Sequence, residues 1–204
     1  MQTTMNEGLL VVISGPAGSG KSTVINNIIS NASEFVYSVS VTTREPREGE
    51  IHGKHYYFID VDNYKKRIEL DDFLEYEEYA GNYYGTPKSD IMNHLAEGRN
   101  VILEIEVKGA MNIKSKYPDA VLIFLLPPDY RTLEKRLRKR GSESEEKILK
   151  RLEIAKWEFE YYYKYDYLVV NNHPETAAGE ILNIVKTEKL RIKRNNIFYE
   201  NFYN

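Results

Sequence analysis

Short runs of consecutive apolar residues alternate along the chain with segments in which apolar residues recur at helical spacing. LLVVIS at 9–14 is an apolar run of the kind expected for a strand that is covered on both faces. A glycine-rich turn follows, and STVINNIIS at 22–30 then carries its valine and isoleucines on one helical face. The pattern predicts a strand, a loop and a helix in that order.

The same alternation continues to the end of the sequence. Further short β-rich runs are VILEIE at 101–106, AVLIFLL at 120–126 and YLVVN at 167–171. Helical patterns lie at 87–98, 108–117, 129–140, 144–163 and 174–194. Strands that alternate with helices indicate an α/β fold with three layers, in which helices cover both faces of a parallel core sheet.

Two segments depart from the alternation. Residues 35–86 are rich in tyrosine and charge, and the pieces FVYSVSV and KHYYFI look like short strands of a small inserted unit. Residues 130–152 are extremely charged and break at Gly141, which indicates two helical pieces that project into solvent. We therefore assign the core to 1–38, 87–129 and 153–204, the insertion to 39–86 and the helical projection to 130–152.

Composition excludes several classes of function. A net charge of −3 argues against a general nucleic-acid or membrane-surface binder, so any anion site must be local. The chain has no cysteine, which excludes thiolate catalysis and fits a reducing compartment. No apolar run reaches the roughly 20 residues of a membrane helix, and the N-terminus does not resemble a signal peptide. We expect a soluble cytoplasmic protein that binds neither nucleic acid nor membrane; its oligomeric state is not predicted.

The turn after the first strand carries the motif GPAGSGKS at 15–22, which matches G-x-x-x-x-G-K-[ST]. Its glycines let backbone N–H groups turn inward around an anion, and the following helix N-terminus adds partial positive charge. Lys21 can reach the β- and γ-phosphates, and the Ser22 hydroxyl can ligate Mg²⁺. A nucleoside triphosphate site is predicted from Gly15, Pro16, Ala17, Gly18, Ser19, Gly20, Lys21, Ser22 and Thr23.

A second anion site is indicated by TTREPREGE at 42–50. In a polyproline-like stretch, residues three apart share a side and lie roughly 9 Å apart, so Arg44 and Arg47 can hold one phosphate between them. Tyr56 and Tyr84 supply hydroxyl donors nearby in sequence. The glutamates of this stretch nearly cancel the two arginines, and they could equally pair with nearby lysines.

Several blocks of the sequence resemble, in order, the signature blocks of the guanylate kinase family. These blocks are GPAGSGKS, SVSVTTREPREGEIHGKHYYF, FLEYEEYAGNYYGTP, VILEIEVKGA and KRLRKRGSESEEKILKRL, and together they span nearly the whole chain. The resemblance implies Mg²⁺-dependent transfer of the γ-phosphoryl group of ATP to GMP, within purine nucleotide metabolism and GMP recycling. It also implies that the insertion binds GMP and that residues 130–152 form a lid.

For the acceptor, the resemblance implies that Arg44, Arg47, Tyr56 and Tyr84 hold the GMP phosphate. It further implies that Ser40, Glu75, Thr86 and Glu106 read the base. The chemistry agrees, because guanine presents paired N1–H and N2–H₂ donors that one carboxylate accepts, while its O6 needs a donor. Within the acidic run ELDDFLEYEE, Glu75 would otherwise be read as a solvated carboxylate.

For the donor, the resemblance places Glu104 beside the Mg²⁺ site and Arg136 over the adenine. It places Arg140 and Arg151 on the transferring phosphates, and it makes Asn171 a candidate adenine contact. The residues alone also allow purely structural roles, in which Glu104 is a charge at the end of a strand and Asn171 is an asparagine in a turn.

The sequence departs from the commonest family pattern in chemical type at Lys108 and Asn172, which puts finer base contacts in doubt. Two other functions stay open. Guanylate-kinase-like scaffold domains bind peptides instead of nucleotides, although they have a degraded phosphate loop, whereas GPAGSGKS is intact. The other alternative is a related kinase with another acceptor, such as a ribosyl bisphosphate, although Glu75 and GNYYG argue against it.

Overall fold

The computed structural model describes residues 7–79, 81–139 and 145–194. Within them the strands are β1 Leu10–Ser14, β2 Phe35–Tyr37, β3 Val41–Thr42, β4 Tyr57–Phe58, β5 Phe73–Tyr79, β6 Asn82–Pro87, β7 Asn100–Glu104, β8 Val121–Leu126 and β9 Tyr167–Val170. The helices are α1 Lys21–Asn31, α2 Val61–Glu69, α3 Ser89–Ala96, α4 Val107–Lys116, α5 Tyr130–Lys139, α6 Glu145–Phe159 and α7 Pro174–Lys189. Short 3₁₀ turns lie at Tyr162–Lys164 and Ile192–Arg194.

The core is a parallel sheet in the order β2-β7-β1-β8-β9, with β1 at its centre. Every residue of β1 is buried, and its side chains divide between the two faces. Val11 and Ile13 pack with α1 and α7, whereas Leu10 and Val12 pack with α3 and α4. The predicted three-layer arrangement is therefore confirmed, and it explains why the strand sequences are continuously apolar rather than alternating.

A second, mixed sheet has the order β4-β3-β6-β5, in which β3 runs parallel to β4 and antiparallel to β6. Its own small core is formed by Val41, Tyr64 and Phe73. Tyr64 lies on α2 and also donates its hydroxyl to the carbonyl of Tyr84 at 2.7 Å. Asp60 caps α2 by accepting from the N–H of Asn63 at 2.8 Å.

The apolar residues of α5 and α6 form a separate small cluster beside the phosphate loop. The cluster consists of Leu133, Leu137, Ile148, Leu152 and Ala155, with Ala17 of the loop packed against it. The predicted break at Gly141 lies outside the described residues. In the part of the chain that the structure describes, no helix is long and apolar enough to cross a membrane.

The structure differs from the sequence prediction at several element boundaries. The piece FVYSVSV divides into two strands: Phe35–Tyr37, within the range 1–38 assigned to the core, pairs with β7 as an edge strand of the core sheet, whereas Val41–Thr42 belongs to the mixed sheet. The predicted strand 101–106 ends at Glu104, because Glu106 already has the extended conformation of the residue preceding α4. The predicted helix 174–194 ends at Lys189 and is followed by a 3₁₀ turn.

Candidate active site

The phosphate loop joins the end of β1 to the start of α1. Gly18 and Gly20 have φ angles of 91° and 93°, a left-handed conformation that side chains with a Cβ rarely adopt. Gly20 precedes α1, and no side chain caps the helix, so its first N–H groups face the loop. The result is a backbone cradle for an anion at a helix N-terminus, as the motif predicted.

Lys21 lies inside this cradle and is 9% exposed. Its ammonium donates to the carbonyl of Gly15 at 2.6 Å and lies 3.5 Å from that of Pro16. The amine is thus held on the oxygens of its own loop. A phosphate oxygen is a stronger, charged acceptor than these carbonyls, and the flexible lysine stem allows the exchange.

Ser22 and Glu104 bring two oxygen ligands together at the mouth of the loop. The Ser22 hydroxyl donates to Glu104 Oε1 at 3.1 Å, and Tyr37 lies 3.5 Å from Oε2. Burial raises the pKa of Glu104, against the charge of Lys21 and the hydrogen bond from Ser22. Hydroxyl and carboxylate oxygens are the ligands that Mg²⁺ prefers.

No cluster of three acidic, histidine or cysteine side chains that could hold a metal occurs among the described residues. An ion at Ser22 and Glu104 would therefore take its other ligands from water and substrate phosphate. That is the usual arrangement for Mg²⁺ in kinase sites, so the residues present fit the ion.

On the side of the loop away from Glu104, Arg136 and Asn171 both bind the carbonyl of Ser19. Arg136 donates to it at 3.2 Å and to the Asn171 carbonyl at 3.1 Å. The Asn171 side-chain amide donates to the same Ser19 oxygen at 2.8 Å. Asn171 Oδ1 is buried with no hydrogen-bond partner among the described residues, so an acceptor remains available for a ligand.

Arg44 is engaged by a carboxylate of its own segment. One terminal nitrogen of Arg44 donates to the two oxygens of Glu50 at 2.8 and 2.9 Å, and the N–H of Arg47 also donates to Glu50, at 2.7 Å. Burial lowers the pKa of Arg44, but the hydrogen bond and charge of Glu50 outweigh it and raise the pKa. The pairing with lysines that the sequence left open is wrong for Glu50, because the turn at Gly49 folds it back onto Arg44.

Tyr56 and Tyr84 lie beside this arginine. The Arg44 guanidinium carbon is 5.4 Å from the centre of the Tyr56 ring, and the rings of Tyr56 and Tyr84 meet edge to face at 6.0 Å. Burial raises the pKa of Tyr56, so its hydroxyl stays a donor at neutral pH. The structure therefore brings Arg44, Tyr56 and Tyr84 together, with the exposed Arg47 side chain at the rim.

Glu75 is a buried acid with one oxygen left over. It lies directly opposite Thr86 in the β5–β6 pair, and the Thr86 hydroxyl donates to Oε1 at 2.7 Å. Oε2 is buried and has no partner among the described residues. Burial raises the pKa of Glu75 to about 6, against the Thr86 hydrogen bond and the charge of Lys116. Ser40, which is also buried, precedes β3 of the same sheet.

Glu106 contacts a second acid that the sequence analysis missed. Glu158 of α6 is 2% exposed and lies close enough to Glu106 for the two acids to interact. Burial and the charge of Glu106 raise the pKa of Glu158. Burial likewise raises the pKa of Glu77 to about 7, with the charges of Glu75 and Glu106 adding to the effect.

A sequence signal for Glu158 existed. The buried face of α6 runs through Ile148, Leu152 and Ala155, and Glu158 is the next position on that stripe. An acid on an apolar helical face is unusual and marks a buried polar contact. Nothing local signalled Tyr37, because its partner Glu104 is 67 residues away. For Glu50 the sequence showed a nearby acid but did not say which cation it pairs with.

The remaining predicted residues are placed less centrally. Arg151 lies on α6, and its charge acts on the phenol of Tyr79. Arg140 lies outside the described residues. Lys108, one of the two departures, is exposed on α4 with its ammonium 5.8 Å from the centre of the Trp157 ring.

Comparison with known proteins agrees with this geometry. The family model "Guanylate kinase" matches residues 7–188. The guanylate kinase of Carboxydothermus hydrogenoformans is 48% identical over 94% of each chain, and that of Clostridium tetani is 47% identical over 93% of this chain and 91% of its own. A crystal structure of guanylate kinase from Anaplasma phagocytophilum superposes with a TM-score of 0.78 at 32% identity, covering 93% of this chain and 90% of that one. The chain belongs to the guanylate kinase family.

Proposed function

We propose that this chain transfers the γ-phosphoryl group of ATP to GMP in the presence of Mg²⁺, giving ADP and GDP. The observation that carries the choice of acceptor is Glu75, buried with Oε2 unpartnered and Oε1 fixed by Thr86. Guanine N1–H and N2–H₂ together complete such a carboxylate, whereas adenine leaves it buried and unmatched. Sites of this kind discriminate by roughly 10⁴ or more, because a rejected base leaves buried polar groups without partners.

The hydrogen bond between Thr86 and Glu75 refines the proposal for the base. An ionised carboxylate only accepts, so the single hydroxyl proton of Thr86 is given to Glu75. The donor to guanine O6 is then assigned to Ser40, and Glu106 contributes a further acceptor near the base. The phosphate of GMP is assigned to Arg44, Arg47, Tyr56 and Tyr84, and it takes over the place of Glu50 on Arg44.

The donor side of the proposal uses the phosphate loop, residues 15–23, for the phosphates of ATP. When bound, Mg²⁺ neutralises phosphate charge, and Ser22 and Glu104 are the residues that would hold it. Arg136 and Asn171 are assigned to the adenine, supported by the free Asn171 Oδ1, which suits the amino group of that base.

The chemistry needs no general base. The nucleophile is a GMP phosphate oxygen, which is largely ionised near pH 7. The barrier is therefore the repulsion of two anions and the charge of the moving phosphoryl group. Lys21, Arg44, Arg47, Arg140 and Arg151 are assigned to offset that charge, so catalysis depends on positioning and electrostatics.

Transfer to water must also be prevented. We assign residues 39–86 and 130–152 as an acceptor-binding unit and a lid that close over the core and exclude solvent. Each unit has a small apolar cluster of its own, around Tyr64 and around Leu137, and Leu74 of β5 and Ala17 of the phosphate loop pack across the boundaries with the core. The cysteine-free composition supports a cytoplasmic location.

The experiment is an acceptor panel in which ADP release is measured with GMP, AMP, UMP and a ribosyl bisphosphate. We expect turnover with GMP to exceed that with the other acceptors by at least roughly 10³-fold. No turnover by folded protein would favour a peptide-binding module, and a preference for the bisphosphate would favour the related kinase.

The matched control is Lys21→Ala, which removes the cation from the donor site only. It should lose most turnover while binding GMP nearly as well as the wild type, measured by calorimetry. Equal loss of GMP binding would contradict the assignment of two separate phosphate sites.

A further inference from the structure

Helix α4 passes directly against the free oxygen of Glu75, and a glycine makes this possible. Gly109 is buried in the first turn of α4. A Cβ at this position would lie 2.9 Å from Glu75 Oε2 and 3.3 Å from its Cδ. Real Cβ atoms almost never approach an oxygen so closely, so any side chain here would displace the carboxylate or the helix.

Backbone conformation does not require this glycine. The φ angle of Gly109 is not positive, and the residue lies in regular helix, where glycine is less favourable than alanine. The reason for a glycine must therefore be the close approach of another group. The group in question is the acid to which the guanine edge is assigned.

The carboxylate has little freedom to move aside. Its Oε1 is held by the Thr86 hydroxyl, its backbone is paired with Thr86 across the β5–β6 ladder, and the residue is 3% exposed. A methyl group at position 109 would push Oε2 or break the bond to Thr86. Either change moves the acceptor away from the base.

We propose that Gly109 is a specificity-determining position, whose missing side chain leaves the space that Glu75 Oε2 occupies and so aims this oxygen at the acceptor base. Gly109 acts through Glu75 and is a positioning residue. The inference rests on the proposed function, because it assigns the geometry of the same base site.

The test is Gly109→Ala, assayed with GMP, AMP and ATP as varied substrates. We expect the KM for GMP to rise roughly 10- to 100-fold, as for loss of one hydrogen bond to a charged group, while the KM for ATP stays unchanged. The preference for GMP over AMP should fall by a similar factor. Gly179→Ala is the matched control, since Gly179 also lies in a helix but its Cβ would meet nothing within 4 Å.

A second comparison separates positioning from a general packing defect. Glu75→Asp shortens the acid by one methylene and withdraws it from position 109. Adding Gly109→Ala to Glu75→Asp should therefore raise the KM for GMP by less than threefold. In the wild type, where Glu75 is present, the same Gly109→Ala substitution should raise it roughly 10- to 100-fold. Simple addition of the two effects would overturn the proposal.

The remaining outcomes also decide the matter. If wild-type protein prefers GMP and Gly109→Ala leaves that preference unchanged, the positioning role is wrong and the proposed function stands. If Gly109→Ala raises the KM values for ATP and GMP together and lowers the melting temperature, the glycine is only a packing residue. If wild-type protein does not phosphorylate GMP, both proposals are overturned.

Discussion

At the scale of single residues, the cations of the site are already bound to oxygens of their own chain. Lys21 rests on the carbonyl of Gly15, and Arg44 rests on the carboxylate of Glu50. Each contact satisfies a partly buried cation that would otherwise be left without a partner. In the proposed reaction, substrate phosphates would displace these oxygens from the two cations.

Glu75 carries a cost in stability that its proposed function explains. Its pKa is raised to about 6 in the folded protein, from an ordinary value of 4.5. Between these two pH values the folded protein binds more protons than the unfolded chain, so stability falls as pH rises through this window. Above about pH 6 the full cost, roughly 2 kcal/mol, is present.

Glu75→Gln should therefore stabilise the protein relative to wild type, and more at pH 7.5 than at pH 5. We expect the difference between the two pH values to be about 1 kcal/mol, measured by urea unfolding. Glu78→Gln, an exposed position on the same strand, should show no such difference. A stability difference for Glu75→Gln that does not change with pH would contradict the buried, ionisable state of this acid.

At the scale of elements, the helix pair α5–α6 is attached to the phosphate loop by apolar packing. A Cβ on Gly18 would lie 3.3 Å from side-chain atoms of both Leu133 and Leu137, and Ala17 packs against the same cluster. Arg136, between these leucines, adds the hydrogen bond to Ser19. Packing against α5 thus supports the shape of the loop. A change in this packing should therefore raise the KM for ATP more than the KM for GMP.

Leu137→Ala tests this link. Leu137 is 2% exposed, and its truncation should destabilise the protein by about 2 to 4 kcal/mol through the cavity it leaves. It should also raise the KM for ATP several-fold while leaving that for GMP nearly unchanged. Leu149→Ala is the control, because Leu149 is 51% exposed on α6. Equal changes in the two KM values would show that α5 does not support the loop selectively.

At the scale of the whole molecule, the proposed donor and acceptor sites lie on different sheets. The phosphate loop follows the central strand of the parallel sheet, whereas Glu75 and Thr86 belong to the mixed sheet. The proposed closure would bring the units that carry the two sheets closer together around the substrates.

Small-angle X-ray scattering measures that closure. The radius of gyration should fall towards roughly 17 Å, the value for a compact chain of this length, when GMP and a non-hydrolysable ATP analogue are both bound. Each ligand alone should give a smaller decrease. An unchanged radius with both ligands bound would show that the units do not close.

The sequence predicted those parts of the fold that depend on local spacing. Continuous apolar runs identified β1, β7 and β8, since buried parallel strands need apolar residues on both faces. The short run at β9 was identified in the same way, although it is an edge strand in which only Val169 is buried. The three-residue β2 was not separated from the longer strand-like piece FVYSVSV, because so short a strand has no periodicity of its own. Its place was decided by pairing with β7, a segment more than sixty residues away.

The same division applies to the candidate site. The sequence by itself determined the phosphate loop, because its glycines, Lys21 and Ser22 act through a single turn of backbone. It also predicted Arg44 and Arg47 as ligands of the second phosphate, which stays a prediction. Only the tertiary structure decided that Glu50 forms an ion pair with Arg44 and that Glu158 lies beside Glu106. The same is true of the close approach of Gly109 to Glu75. Contacts between segments far apart in sequence depend on which surfaces the fold brings together, and no local spacing records that choice.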